Sequence, residues 1–136
     1  QVDICLDTFP YTGSTTVLNS LWMGVPTLTI AGQTMASRAA AAWLSHTGLE
    51  NFVATDADDF VTRGVALASD IPALAALRTG LRERCRASAV FQPEVVAASL
   101  SRALHVMWQR WRDGLPPEAF SVDDAQTADR SPVQTA

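Results

Sequence analysis

Apolar and polar positions change rhythm several times along the 136 residues of this chain. Val2 to Phe9 (VDICLDTF) is a short apolar run ending at Pro10, which predicts a buried strand. Tyr11-Thr12-Gly13 reads as a turn. Ser14 to Met23 then carries Val17, Leu18, Leu21 and Trp22 on one side at helical spacing, and Gly24 is placed to end that helix. Val25 to Ala31 (VPTLTIA) predicts a second short strand, and Gly32-Gln33-Thr34 a loop. Met35 to His46 is an Ala-rich helix stopped by Gly48. Phe52 to Ala54 predicts a third strand. Asp56 to Ser69 opens with acidic residues, which suit the positive end of a helix. Asp70 and Pro72 mark the start of another helix, which runs to about Ser88. Gln92 to Arg112 is the last helix, with Val95, Val96, Leu100, Leu104, Met107, Trp108 and Trp111 as its expected core stripe.

Alternation of strand, loop and helix implies an α/β fold, a parallel sheet with helices packed on its faces. Beyond Gly114 no period persists, so 113–136 is read as a disordered tail and 1–112 as the folded part. The length bounds the chain to one domain at most. With 48% hydrophobic and 18% charged residues it can bury a core.

Charge narrows the picture. The formal charge is -4, and all ten basic residues are arginine. Without lysine there is no lysine base, Schiff base or phosphate-binding lysine. The acidic balance argues against a nucleic-acid scaffold, which needs clustered positive charge. Cys5 and Cys85 form neither a CxxC pair nor a disulfide framework, which suits a reducing, cytoplasmic setting. No apolar run approaches the roughly 20 residues that span a bilayer, so no membrane partner is expected. The chain starts abruptly in a strand, as a cut through a larger protein would.

The candidate chemistry sits at Thr12-Gly13-Ser14-Thr15-Thr16. This loop follows a strand and opens a helix, so it lies at the carboxyl edge of the sheet, where α/β proteins bind ligands. A helix N-terminus offers free N–H groups and partial positive charge to a phosphate, and Gly13 allows close approach. Thr15, Asn19 and Thr16 fall at about 0°, about 40° and about 100° on a helical wheel. Asn19 can therefore face the same pocket one turn deeper. The competing reading is a plain Ser/Thr helix cap. The segment is neither a GxxxxGK[ST] loop nor GxGxxG.

Elsewhere the bland readings lead. Arg38 could approach a phosphate or an acceptor, but an ion pair is the commoner fate of such an arginine. Asp7 is read as a brace for the loop. His46 and His105 have no partners at metal-ligand spacing. Cys5 is read as a small buried hydrophobe. Arg78, Arg82, Arg84 and Arg86 are read as a solvated basic face. The Trp108 and Trp111 pair is read as packing between lobes.

The run LDTFPYTGSTTVLNSLWMGVPTLTIAGQTMASR, Leu6 to Arg38, resembles the C-terminal catalytic lobe of the family 41 glycosyltransferases, the O-linked N-acetylglucosamine transferases and their SPINDLY-like relatives. The similarity continues more loosely through ATDADDF, LRERCRASAVF and the helix ending MWQRW, to about residue 112. The resemblance implies the Rossmann-like C-terminal half of a two-lobed GT-B glycosyltransferase that binds a UDP-sugar without metal or cofactor. It implies that Gly13, Ser14, Thr15 and Thr16 hold the diphosphate, that Asn19 meets the ribose, and that Tyr11 lines the sugar pocket. The family commonly has an acidic residue where Asn19 stands, and many members have His where Ser14 stands. The family's proton-transfer groups and phosphate-binding lysine lie upstream of these residues, so no catalytic residue is expected within the chain. The implied partners are UDP-GlcNAc or another nucleotide sugar, an acceptor polypeptide, and the N-terminal lobe of the same protein, preceded by tetratricopeptide repeats. A transferase with a different donor or a non-protein acceptor, and an inactive nucleotide-binding module, are the alternatives.

Overall fold

A computed structural model describes residues 2–122. The elements follow in the order β1 (Cys5–Leu6), α1 (Thr15–Trp22), β2 (Thr27–Ile30), α2 (Met35–His46), β3 (Val53–Ala54), α3 (Ala57–Ser69), α4 (Ile71–Ala87) and α5 (Pro93–Arg112). Short 3-10 turns at Glu50–Phe52 and Ala89–Phe91 complete the order. The predicted α/β fold is present, with every helix and strand of the sequence reading in place.

The sheet is parallel, with strand order β1-β2-β3. Cys5 pairs with Thr27 and Leu6 with Leu28, then Thr29 with Val53 and Ile30 with Ala54. The two crossovers run in the same direction along the sheet, and α1 and α2 contribute to one core. Leu28 meets α3, where a Cβ on Gly64 would lie 3.4 Å from its Cδ2. The core joins Val17 and Leu21 of α1, Ala40 and Leu44 of α2, Leu49 and Phe52, and Leu81 and Cys85 of α4. Burial raises the Cys85 thiol pKa, so it stays protonated.

The strands are shorter than their apolar runs. The expected strand over Val2 to Phe9 reduces to Cys5–Leu6, because Thr8 Oγ donates to the Tyr11 carbonyl at 2.6 Å and turns the chain away. A cis bond precedes Pro10 within that turn. The expected Val25–Ala31 strand reduces to Thr27–Ile30, though the Cys5 N–H still donates to the Pro26 carbonyl.

The helix ends follow the predicted punctuation. Gly24 ends α1 at φ 76° and Gly48 follows α2 at φ 69°, a conformation that side chains resist. Asp70 caps α4 through the Ala73 N–H. Asp56 caps α3 by accepting from the Asp59 N–H. The Asp59 carboxyl pKa is lowered chiefly by the Thr55 N–H, and then by Arg63.

Two expectations fail. The basic face of α4 is not simply solvated: its arginines close the ends of α1 and α2. Arg78 Nε donates to the Gly24 carbonyl at 3.0 Å, Arg82 Nε to Trp22 at 2.7 Å, and Arg84 Nη1 to Gly48 at 3.2 Å. Arg78 also pairs with Asp3. Arg82 and Arg86 lie over the Trp22 ring, which stacks on Phe91. Carbonyls left free at helix C-termini attract cations, and arginine reaches them across elements.

The second failure concerns α5. None of its residues is buried, and the expected core stripe is open, with Leu100 57% and Trp111 76% exposed. The chain forms two compact units, one up to Gln92 and one from Pro93. In the second unit the described part of the expected tail, 113–122, has no helix or strand, and Arg110 binds the Pro116 carbonyl and the Glu118 carboxylate. The remainder of that expected tail, 123–136, lies outside the described residues.

Candidate functional site: the carboxyl edge of the sheet

The loop from β1 to α1 is held by two residues that never reach its surface role. Asp7, just past β1, accepts from the Gly13 N–H at 2.9 Å and the Thr8 N–H at 3.0 Å through Oδ1, and from Thr29 Oγ at 2.8 Å through Oδ2. This is the brace expected of it. Thr12 is buried, and its hydroxyl donates to the Ala36 carbonyl at 2.9 Å, tying the loop to α2. At Gly13 a Cβ would lie 2.6 Å from Thr16 Oγ and 2.9 Å from Val17 Cγ2. Only glycine lets the helix start pack this closely against the loop.

The helix start itself is open. Ser14 is the N-cap residue of α1 but makes no side-chain cap bond; its hydroxyl instead accepts from Trp43 Nε1 at 3.3 Å. Thr15, Thr16 and Asn19 are exposed, and their side-chain polar groups make no hydrogen bond among the described residues. The N–H groups of Thr15, Thr16 and Val17 likewise meet no acceptor there. By contrast α2, α3 and α4 are closed by Thr34 with Ser37, by Asp56 and by Asp70. The plain-cap reading of these hydroxyls therefore does not describe the geometry. Gly13, Ser14, Thr15, Thr16 and Asn19 share one helix end with no acid in the first turn of α1; the Asp7 carboxylate that braces the loop is spent on the Gly13 and Thr8 N–H groups and the Thr29 hydroxyl.

Tyr11 stands at the top of the same loop, 76% exposed. Arg38 lies one turn into α2, exposed and without a hydrogen bond or ion pair among the described residues, so the expected structural ion pair is absent. His46 lies on α2 and His105 on α5, and no group of three His, Cys, Asp or Glu residues suited to a metal occurs among the described residues.

A second feature of this edge is a cleft of about 540 Å³. It runs across the ends of all three strands, between Phe9 and Pro10 after β1, Ile30 at the end of β2 with Ala31 to Thr34 beyond it, and Thr55 to Ala57 after β3. None of the sequence-selected residues lines it. Neither the cleft nor the Trp43 contact was legible, because both depend on loops from distant segments meeting at the sheet edge.

Comparison with known proteins adds the family to which these residues are similar. The model of glycosyl transferase family 41 matches residues 1–100. The chain is 43% identical over 116 residues to a barley (Hordeum vulgare) protein named probable UDP-N-acetylglucosamine–peptide N-acetylglucosaminyltransferase SPINDLY, covering 85% of the chain and 12% of that protein. It is 32% identical over 114 residues to the UDP-N-acetylglucosamine–peptide N-acetylglucosaminyltransferase of Caenorhabditis elegans, covering 84% of the chain and 10% of that protein. Among solved structures it is similar to a mutant O-GlcNAc transferase of Thermobaculum terrenum, with a TM-score of 0.69 and 37% identity, over 79% of the chain and 21% of that structure. The chain thus spans only a small part of the proteins it matches.

Proposed function

Because the chain belongs to glycosyl transferase family 41, we propose that it is the UDP-sugar-binding part, residues 1–112, of the C-terminal lobe of a cytoplasmic transferase that moves N-acetylglucosamine from UDP-GlcNAc to Ser or Thr hydroxyls of polypeptides. The names of its relatives support that donor and acceptor class. In this reading the diphosphate lies against the N-terminus of α1. The N–H groups of Thr15 and Thr16, their two hydroxyls and the Ser14 hydroxyl donate to it, and Gly13 lets it approach. The Asn19 amide meets a ribose hydroxyl. Tyr11 borders the sugar, and Arg38 is the nearest cation on α2 that could serve an anionic group.

The reaction displaces UDP from the anomeric carbon as the acceptor hydroxyl attacks. Negative charge grows on the departing diphosphate, and donors fixed in advance stabilise it without reorganising. That is electrostatic catalysis. In this reading proton transfer and any lysine contact belong to the preceding lobe of the same protein; the chain itself has no lysine. No metal or cofactor enters this scheme.

The observation that carries the reading is the open start of α1, where three N–H groups and two threonine hydroxyls are unspent while α2 to α4 are capped. Calorimetry with UDP on the intact protein tests it. Thr15→Ala combined with Thr16→Ala is expected to weaken UDP binding at least about tenfold, since each lost bond to a charged group is worth about 1.5–3 kcal/mol, with an unchanged melting temperature. Unchanged affinity would refute the diphosphate site. A second reading, another nucleotide-sugar donor, is favoured by the bulk of exposed Tyr11 at the loop. UDP-glucose that binds where UDP-GlcNAc does not would establish it.

A further inference from the structure

One contact at the start of α1 sets it apart from the other helices. The cap residues of α2, α3 and α4 each accept from the N–H three positions on: Thr34 from Ser37, Asp56 from Asp59 and Asp70 from Ala73. Ser14 holds the same place in α1 and does not. Its hydroxyl oxygen accepts from Trp43 Nε1 at 3.3 Å, across 29 positions of chain. An indole nitrogen can only donate, so the Ser14 oxygen is the acceptor of the pair. The hydroxyl hydrogen meets no acceptor among the described residues. The Ser14 backbone, at φ -122° and ψ -84°, is likewise turned from the extended form in which Thr34 and Asp56 cap.

The indole is held firmly. The Thr12 hydroxyl donates to the Ala36 carbonyl at 2.9 Å and accepts from the Ala40 N–H at 3.4 Å, and Trp43 follows on the same helix. Residues spaced i, i+4 and i+7 share one helix face, so a single face of α2 runs along the β1–α1 loop. The Trp43 side chain is partly buried and packs against the core cluster. A serine hydroxyl can cap its helix, turn to water or face a ligand. The bond to Trp43 removes the first choice and occupies the oxygen, which leaves the hydrogen to be offered outward. A donor fixed in advance stabilises an anion without reorganising.

We propose that Trp43 is a positioning residue for the diphosphate site. It holds the Ser14 hydroxyl off the helix start, so that its hydrogen is offered to the nucleotide and the N–H groups of Thr16 and Val17 stay unspent. Trp43 acts through Ser14 and touches no part of the nucleotide. The proposal rests on the nucleotide reading above.

The test measures UDP affinity by calorimetry on the intact protein, on Trp43→Phe, on Ser14→Ala and on the two combined, with melting temperatures to verify folding. Phenylalanine keeps an aromatic ring against the core and removes the N–H donor. With Ser14 present, Trp43→Phe should weaken UDP binding about threefold to tenfold, part of one hydrogen bond to a charged group. In the Ser14→Ala background it should change nothing further. That coupling is the signature, because lost packing would weaken UDP equally in both backgrounds. Benzothienylalanine at position 43, which replaces only the indole N–H by sulfur, repeats the measurement at nearly constant shape and should give the same loss. Equal weakening in both backgrounds, or unchanged affinity with Ser14 present, would overturn the role of Trp43 and leave the nucleotide site standing. A wild-type protein that binds no UDP would instead overturn the nucleotide reading, and this proposal with it.

Discussion

Gly13 shows how much one residue can carry at this edge. Its neighbours leave no room for a methyl group: Thr16 Oγ and Val17 Cγ2 would both be closer than 3.0 Å. Gly13→Ala must push the start of α1 away from the loop. The expected result is a loss of about 1–3 kcal/mol in stability by denaturant titration, typical of overpacking, together with weaker UDP binding. The strand–loop–helix order gave reason to look at this loop, the helical wheel put Thr15, Thr16 and Asn19 on one side of it, and the resemblance gave them roles. None of these could reveal that the hydroxyls are unspent, because capping and ligand binding use the same residue types. That distinction came from Ser14, whose hydroxyl is turned to Trp43.

Among the elements, α4 changes most between sequence and structure. Four arginines on a helix predict a wet face, and periodicity has no means of showing that carbonyls from other helices lie opposite. Arg82 meets the carbonyl of Trp22, the last residue of α1, Arg78 that of Gly24 just beyond it, and Arg84 that of Gly48 after α2. The N-terminus of α1 is thereby left free for a ligand while its C-terminus is fixed. Arg82→Ala is expected to cost about 1–2 kcal/mol, from a charged hydrogen bond and its dipole contact, and Arg82→Lys only part of that. Thermal melts of the pair read the difference. A loss equal in both variants would assign the effect to the guanidinium stacked on Trp22. Helix boundaries were legible to within a residue or two because Gly24, Gly48, Asp56 and Asp70 act locally. Strand lengths were not, because an apolar run says nothing about where a partner strand ends.

At the scale of the molecule, the apolar stripe of α5 was read correctly as a stripe and wrongly as core. Leu100, Leu104, Met107, Trp108 and Trp111 are each more than half exposed. A soluble chain seldom leaves so much contiguous apolar surface open. The 136-residue chain by itself is expected to self-associate with rising concentration, measured by light scattering. Leu100→Glu with Leu104→Glu should return it toward the monomer mass, and an unchanged mass would place the sticky surface elsewhere. One contact also carries an optical consequence. Trp43 is bonded through its indole nitrogen to Ser14, the residue before the two threonines. Any occupant that draws the Ser14 hydroxyl toward itself alters the polarity felt by that indole. Helix α2 thus carries a fluorophore bonded to the loop, and nucleotide arrival can be followed by emission without a label.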